Sequence, residues 1–272
     1  MDRSFECAGV ESHAVAIESE KTYKVEPVRS WDEYSGKIDL YKGWAFRGHA
    51  DSAWRLMSTL GRYLNAYIKR EFWAPQEERI LRIFQRKAHL FLEHIPGRSD
   101  TFQWLAHMQH HGSPTRLLDF TWSPYVAAFF ALERTTTQGA VWAVNPAKLV
   151  NVTERLNEFR EGSLDGVIGI GEPFVMNKRI IAQSGTFVVT RDEGSAIEDI
   201  VVGYPDPEDT LVKFELPADL VRPLGMRALY MMNITNATLF PDLDGLARSL
   251  AYELEFHWKY DPRKASIGQD EH

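Results

Sequence analysis

Hydrophobic positions repeat at helical spacing in the first half of the chain and as strand-like runs in the second half. From Gln76 to Ile95 the apolar positions recur every three or four residues, which predicts an amphipathic helix. The segment 31–40 predicts a short helix that leads into an apolar strand at residues 44–48. Further along, β-branched and aromatic runs bounded by Gly, Pro and Asn predict three strands. These runs are GAVWAVN (139–145), SGTFVVT (184–190) and TLVKFELP (210–217).

Local signals mark the ends of two more helices, one on each side of a buried strand, TRLLDF (115–120). Asp100 is placed to cap the N-terminus of the first helix, and Gly112 is placed to end it. Ser123 followed by Pro124 combines an N-cap with a proline at the first helical position, which predicts that the second helix begins there.

The order of these elements predicts an α+β fold. Helical character dominates early, strands follow, and helices return at 223–233 and 242–258. We therefore expect a mixed or split, mainly antiparallel sheet and no regular alternation of strands and helices. The predicted organisation has four parts, namely an N-terminal arm (1–29, with residues 1–22 as an arm or edge strand), a main domain (30–250), a helical insertion within it (about 56–112) and a C-terminal tail (251–272).

Composition and charge narrow the function classes. The 272 residues carry a net charge of −7, which argues against a broad nucleic-acid footprint but not against a local basic pocket. Cys7 is the only cysteine, so the chain can form neither an intramolecular disulfide nor a cysteine-based zinc site. The N-terminus lacks the pattern of a secretory signal, and the longest apolar run is too short for a membrane span. We expect a cytoplasmic protein with no membrane partner.

Polar residues concentrate in the segment Gln109–Leu132, around the predicted strand and the helix that follows it. Each has a structural interpretation, such as a helix cap or a local ion pair. Burying so many polar groups costs free energy unless they share a common partner. We therefore expect these side chains to line one concavity. Arg47 ends another apolar strand and is followed by Gly48, which indicates either a solvated strand end or an anion-binding turn. The residues expected in the concavity are Arg47, His111, Arg116, Asp119, Thr121 and Ser123.

Other kinds of site are disfavoured by the patterns that are missing. The histidines at 107, 110 and 111 lack an accompanying carboxylate and the His-Glu-x-x-His spacing, so we predict no metal site. No Gly-x-Ser-x-Gly elbow, Walker A loop or Gly-x-Gly-x-x-Gly turn occurs. A hydrolase built on the histidines and Asp119 is kept as a third hypothesis.

Four motifs resemble those of the FRG domain, a family of bacteria and phages named for its Phe-Arg-Gly. In chain order they are FRG (46–48), QHHGSPTRLLDFTWSPYVAAFFAL (109–132), NKRIIAQSGTFVV (177–189) and TLFPDLDGLARSL (238–250). The resemblance covers roughly residues 30–250, most of the chain.

The same motifs also resemble, more distantly, ADP-ribosyltransferases of the Arg / Ser-Thr-Ser / Glu type. This resemblance implies the same split-sheet fold and NAD as a substrate. It implies that Arg47 contacts the pyrophosphate or adjacent ribose, that Gly48 lets the backbone approach the ligand, and that Thr121 and Ser123 hold the nicotinamide ribose. His111 and Arg116 are placed with these residues as NAD-binding candidates.

The third motif departs from the transferase pattern. It offers Arg179 and Gln183 where those enzymes carry a catalytic glutamate. Asp119 and Glu172 are the candidate replacements for that glutamate. Asp119 is preferred because it lies three residues from Arg116 on a predicted strand, so the two side chains point to opposite faces and Asp119 is free for another partner. Gln183 is expected to face the same cleft, on a strand opened by Arg179, either contacting a sugar or nicotinamide amide or capping a backbone group.

Two functional hypotheses follow from the resemblances. The first is an NAD-dependent ADP-ribosyltransferase or NAD-cleaving effector, used in toxin or phage–host conflict, with an unidentified protein or nucleic acid as acceptor. The alternative is a catalytically silent FRG module that binds a nucleotide, nucleic acid or protein. An acidic side chain in the same cleft as Arg47 favours the first.

Overall fold

The computed structural model describes residues 22–162 and 166–256. Nearly all of the predicted arm or edge strand at residues 1–22 lies outside this part of the chain, as does the predicted tail after residue 256. The helices are α1 (Trp31–Ile38), α2 (Thr59–Tyr67), α3 (Trp73–Ala88), α4 (Thr101–His110), α5 (Pro124–Leu132), α6 (Leu156–Glu161), α7 (Lys178–Ala182), α8 (Ile197–Val202), α9 (Ala218–Met231), α10 (Asn236–Leu239) and α11 (Leu243–Phe256). The strands are β1 (Lys24–Pro27), β2 (Ala45–His49), β3 (Leu117–Thr121), β4 (Gln138–Val144), β5 (Val150–Asn151), β6 (Ile168–Gly171), β7 (Gly185–Thr190) and β8 (Leu211–Pro217).

The strands form one sheet in the order β1-β8-β4-β2-β3-β7-β6-β5. Only the outermost pairs, β1 with β8 and β5 with β6, are parallel, and the inner pairs are antiparallel. The predicted α+β class with a mixed, mainly antiparallel sheet is therefore confirmed. None of the described helices combines the length and the apolar character needed to cross a membrane.

The sheet divides at its centre, between β2 and β3. β2 pairs with β4 along its whole length, and β3 does the same with β7. β2 and β3, in contrast, pair at Phe46 and Thr121 alone. The backbones separate beyond this point, and the sheet becomes two four-stranded halves joined through one residue pair.

Different helices cover the two halves on one side of the sheet. α1, α5 and α9 pack on β4 and β8, in a core that includes Tyr34 and Phe214. The helical region between β2 and β3 supplies α3 and α4, which pack on β3 and β7 around Leu105 and Phe187. Residues from α8, including Ile197, join Leu118 and Phe120 in a third cluster. The division of the sheet thus falls between two separately packed cores.

Several predicted helix ends are confirmed. The side chain of Asp100 accepts a hydrogen bond from the backbone N–H of Gln103, and Gly112 follows α4 with a φ of +79°. Ser123 accepts from the backbone N–H of Val126 and so caps α5. The helix predicted from Gln76 to Ile95 is real but ends at Ala88, earlier than expected.

Candidate functional site

A cleft of about 550 Å³ opens where β2 and β3 separate, and we call it the split cleft. Its charged lining residues are Arg47, Asp51, Asp119, Glu133, Arg134, Arg179 and Arg248. Its other lining residues include Trp54, Thr121, Phe130, Gln183, Asn236 and Phe240. The cleft therefore combines both signs of charge with aromatic surface, at a volume that suits a small-molecule ligand.

Arg47 spans the gap between the two halves of the sheet. Its Nη1 atom donates to the backbone carbonyl of Asp119, and its Nε atom donates to Nε2 of His49 at 3.1 Å. The first bond replaces a main-chain bond that β2 and β3 no longer make there. Among the described residues Nη2 has no hydrogen-bond partner. Arg47 thus holds the sheet together and keeps part of its guanidinium for the cleft.

His49 receives one of these bonds and is buried behind Arg47. Its Nδ1 atom lies 3.2 Å from the carbonyl oxygen of Trp54, to which it donates when Nε2 accepts from Arg47. Burial, with the charge of Arg47 as the next cause, lowers the pKa of His49 to about 3. The imidazole is therefore neutral at physiological pH and positions Arg47 without adding charge.

Asp119 faces the split cleft from the middle of β3. Its Oδ2 atom accepts a hydrogen bond of 2.8 Å from Gln109, whose own side-chain oxygen accepts one of 2.6 Å from Thr115. The same Oδ2 lies 4.0 Å from Nη1 of Arg47. A recess of about 30 Å³ adjoins Asp119 and is large enough for one water molecule. The carboxylate is thus held in place yet remains accessible in the cleft, and its catalytic role stays a prediction.

Gly48 has a packing role that sequence reasoning did not anticipate. A Cβ atom at this position would lie 2.0 Å from the backbone oxygen of Ala127 in α5. Gly139 on the neighbouring strand is equally constrained, because its Cβ would lie 2.5 Å from the backbone oxygen of Ala131. The two glycines let α5 pack closely against the sheet, which brings Glu133 at the end of α5 to the cleft. Gly48 also lines the cleft, so its expected place beside a ligand stays a prediction, while the side that a Cβ would occupy faces α5.

Thr121 and Gln183 line the cleft as expected, but both also have structural partners. The hydroxyl of Thr121 donates to the backbone oxygen of Gln183 at 2.6 Å. The side-chain amide of Gln183 donates to the backbone oxygen of Leu239 at 3.1 Å. Gln183 follows α7 as its C-cap, so the prediction that it lies on a strand opened by Arg179 is wrong.

Arg116 and His111 do not reach the cleft. Arg116 is buried on the other side of β3, where it pairs with Glu77 and, at 2.9 Å, with Glu193. Arg160 joins the same network through a 2.8 Å contact with Glu77. The predicted opposite orientation of Arg116 and Asp119 is confirmed, but it removes Arg116 from the site. His111 is exposed at the end of α4.

Ser123 and Glu172 also lie outside the residues that line the cleft. The Ser123 hydroxyl is engaged in capping α5. The Glu172 carboxylate accepts a hydrogen bond of 2.8 Å from the indole of Trp122. Of the two carboxylates proposed from the sequence, only Asp119 therefore faces Arg47.

The structure adds a second carboxylate that sequence reasoning missed, Glu133. Its side chain is 13% exposed and accepts a hydrogen bond of 2.8 Å from Asn236. Asn236 is buried, and among the described residues its own side-chain oxygen has no partner. The sequence does contain one signal for Glu133, because it is a single acidic residue directly after the apolar helix α5, with which the second motif ends. The other charged lining residues to which the sequence gave no role are Asp51, Arg134, Arg179 and Arg248.

The geometry describes an α+β domain with a charged ligand cleft at a divided sheet, and residues 42–139 match the family model described as the FRG domain. This match supports the resemblance to the FRG family that the motifs predicted, over the region that contains the Phe-Arg-Gly and most of the second motif. The match includes Arg47, Asp119 and Glu133, whereas Arg179 and Arg248 lie beyond it. The wider extent predicted for the domain, residues 30–250, stays a prediction. No curated protein and no solved structure matches the chain.

Proposed function

We propose that the protein binds NAD in the split cleft and cleaves the bond between nicotinamide and ribose, as an ADP-ribosyltransferase or an NAD glycohydrolase. One observation carries the proposal. A carboxylate, Asp119, and a guanidinium, Arg47, face each other across a divided sheet, within a cleft that also holds aromatic rings and further arginines. The resemblance to the transferases implies the same substrate.

The proposed chemistry explains why carboxylates would be needed. As the bond between C1′ of the ribose and the nicotinamide nitrogen breaks, its electron pair leaves with nicotinamide, and positive charge develops on the ribose. Asp119 and Glu133 would stabilise that charge in a site partly shielded from water. A water molecule or an acceptor group then bonds to C1′ and loses a proton, which a carboxylate can accept.

The arrangement also supplies recognition for both ends of a dinucleotide. Trp54 is 57% exposed at the rim of the cleft and offers an aromatic face for a base, while the arginines of the cleft can bind the phosphates. Stacking of a base on such a face contributes about 1–3 kcal/mol in nucleotide-binding proteins. An activity that consumes NAD or modifies host molecules would suit a toxin or a protein of phage–host conflict.

The test measures nicotinamide release by purified protein incubated with NAD, with and without cell extract as a source of acceptors. Label from NAD carrying ³²P in its adenylate phosphate is followed in parallel into protein and nucleic acid. Nicotinamide release without extract supports hydrolysis, and release with label transfer supports ADP-ribosylation. Stable NAD under every condition contradicts both activities.

A second candidate function, a binding module without catalysis, is favoured by a specific observation. Arg47 already uses Nε and Nη1 within the protein, and the third motif has no glutamate. A module of this kind would bind NAD or ADP-ribose and leave both intact. Binding measured by calorimetry together with unchanged NAD would therefore favour this alternative over an enzyme.

A further inference from the structure

We propose that Arg179 and Arg248 form an anion site that holds the phosphate groups of a nucleotide. The inference rests on the proposed function in one respect, because the pyrophosphate of NAD would be the natural occupant. It assigns that group to two residues that line the cleft and lie within the quoted motifs, but to which the resemblance gave no role in binding a ligand.

Both guanidinium groups lie over the same aromatic ring. The Cζ atom of Arg179 lies 4.8 Å from the ring centre of Phe240, and that of Arg248 lies 5.9 Å from it. Phe240 is itself positioned by an edge contact with Phe130, at 6.0 Å between ring centres. Stacking on a ring orients a guanidinium and leaves its N–H groups free to donate in the ring plane. Phe240 therefore orients the guanidinium groups of Arg179 and Arg248 in the same cleft, where their N–H groups can donate to a ligand.

Neither arginine is neutralised by the residues that the structure describes. Every described carboxylate lies beyond 4.0 Å from both guanidinium groups, whereas buried Arg116 contacts two acids. Two like charges at one ring repel each other, and a shared anion converts that repulsion into attraction. A phosphate accepts paired N–H bonds from each arginine in the bidentate geometry that suits it.

The other charges near the cleft do not supply that anion. Asp119 is held by Gln109 and lies beside Arg47. Glu133 is held by Asn236 and lies 3.9 Å from Arg134. Asp242 accepts a hydrogen bond of 2.8 Å from the backbone N–H of Gly245 at the start of α11. Asp51 also lines the cleft and accepts a hydrogen bond of 2.9 Å from the backbone N–H of Ala53. These four carboxylates have other partners, which leaves the two stacked arginines as the part of the cleft with unbalanced positive charge.

Arg47 is a weaker candidate for the same role. Its Nε and Nη1 atoms already donate to His49 and to the carbonyl of Asp119. A phosphate at Arg47 would also approach the Asp119 carboxylate, which lies 4.0 Å from Nη1. The pyrophosphate in the middle of NAD would then lie at Arg179 and Arg248, and the ribose attached to it would lie near Asp119, which lines the same recess as Arg179.

The experiment measures the affinity of the full chain for ADP-ribose, inorganic pyrophosphate and adenosine by titration calorimetry. The variants are Arg179→Gln, Arg248→Gln and their combination. Arg227→Gln is the matched control, because Arg227 is exposed on α9 and does not line the cleft. Melting temperatures verify folding, and exposed Arg248 provides a variant that does not disturb the core.

Each single variant should weaken ADP-ribose and pyrophosphate about tenfold or more, as expected for loss of hydrogen bonds to a charged group. The control should bind like wild type, and affinity for adenosine should be the same in all variants. Wild-type affinity in the folded variants, or no binding of either phosphate compound to wild type at millimolar concentration, overturns the site. If NAD stays intact while ADP-ribose binding depends on both arginines, the cleavage proposal fails and the anion site stands.

Discussion

Nη1 of Arg47 lies 4.0 Å from Oδ2 of Asp119, across the gap where β2 and β3 have separated. The same nitrogen donates to the backbone oxygen of Asp119, so one guanidinium contacts both the main chain and the side chain of the opposite strand. This relationship fixes the width of the split cleft at its base. It also explains how a charged residue can lie in the middle of β2, where the sequence had placed a strand end, without being solvated.

Replacing Asp119 by Asn should reduce NAD cleavage by about 100-fold, the order expected when one group that stabilises transition-state charge is lost. The shape of the side chain is conserved, so the melting temperature should change little. Nicotinamide release measures the effect. Asp206→Asn is the control, since Asp206 pairs with Lys148 on the exposed surface. Glu172→Gln should retain activity because Glu172 does not line the cleft. Equal losses of activity in Asp119→Asn and Glu172→Gln would contradict the assignment of Asp119 as the catalytic carboxylate.

Gly48→Ala should destabilise the protein by about 2 kcal/mol or more, because its Cβ would lie 2.0 Å from the backbone oxygen of Ala127. Urea unfolding measures the change. Gly36→Ala is the matched control, since Gly36 is exposed within α1 and a Cβ there meets nothing within 4 Å. That variant should gain roughly 0.5–1 kcal/mol from helix propensity. A stable Gly48→Ala protein would show that α5 is not closely packed on β2.

The buried, neutral state of His49 makes the folded protein sensitive to mild acid. The pKa of His49 is lowered from 6.5 to about 3, with burial as the main cause. Between these values the unfolded chain binds a proton that the folded chain does not. The free energy of unfolding therefore falls as the pH drops below 6.5, by at most about 1.4 kcal/mol per pH unit from this residue.

His49→Gln tests this contribution, because its amide can still donate and accept. Urea unfolding of wild type and variant is compared between pH 7 and pH 4.5. The variant should be less stable at pH 7 but should lose less stability on acidification. Parallel curves for the two proteins would mean that His49 is protonated freely in the folded state.

The sequence predicted those parts of the structure that depend on neighbouring residues. Ser123 and Pro124 specify the start of α5 because capping involves groups three residues apart. The alternation of side chains along a strand correctly placed Arg116 and Asp119 on opposite faces. The same local arguments predicted the strand at Phe46 and located Asp119 in the site.

The parts that were missed depend on residues far apart in the chain. Glu77 and Arg116 are 39 positions apart, and no spacing rule connects them. Glu133 and Asn236 are 103 positions apart and meet because Gly48 lets α5 approach the sheet. A polar residue in a buried strand signals that it needs a partner, but the sequence does not reveal whether a ligand or another side chain provides it.

Arg116→Met should destabilise the protein by about 3 kcal/mol, because it leaves Glu77 buried with fewer partners. Although burial raises the pKa of Glu77, the charges and hydrogen bonds of Arg116 and Arg160 hold it below its usual value. Urea unfolding measures the loss, and Arg82→Met on the exposed face of α3 is the control. The affinity of the folded variant for ADP-ribose should equal that of wild type. A loss of ADP-ribose binding without a loss of stability would mean that Arg116 contributes to the ligand site.

Glu133 and Asn236 should act as a unit in NAD cleavage. The Asn236 amide donates to Glu133 at 2.8 Å and fixes a carboxylate that is only 13% exposed. A carboxylate held in this way favours positive charge that develops during the reaction more than it favours the bound substrate. Glu133→Gln should therefore lower kcat by about tenfold or more, with little change in the affinity for ADP-ribose.

Asn236→Ala should lower kcat less than Glu133→Gln does, because the carboxylate remains but is no longer positioned. The double variant should be no slower than Glu133→Gln alone, since residues that act through one another are not additive. Glu208→Gln is the matched control, because Glu208 is exposed and outside the cleft. Melting temperatures separate this effect from the loss of a buried hydrogen bond. If the fold losses in kcat of the two single variants multiply in the double variant, Asn236 does not position Glu133 and has a structural role only.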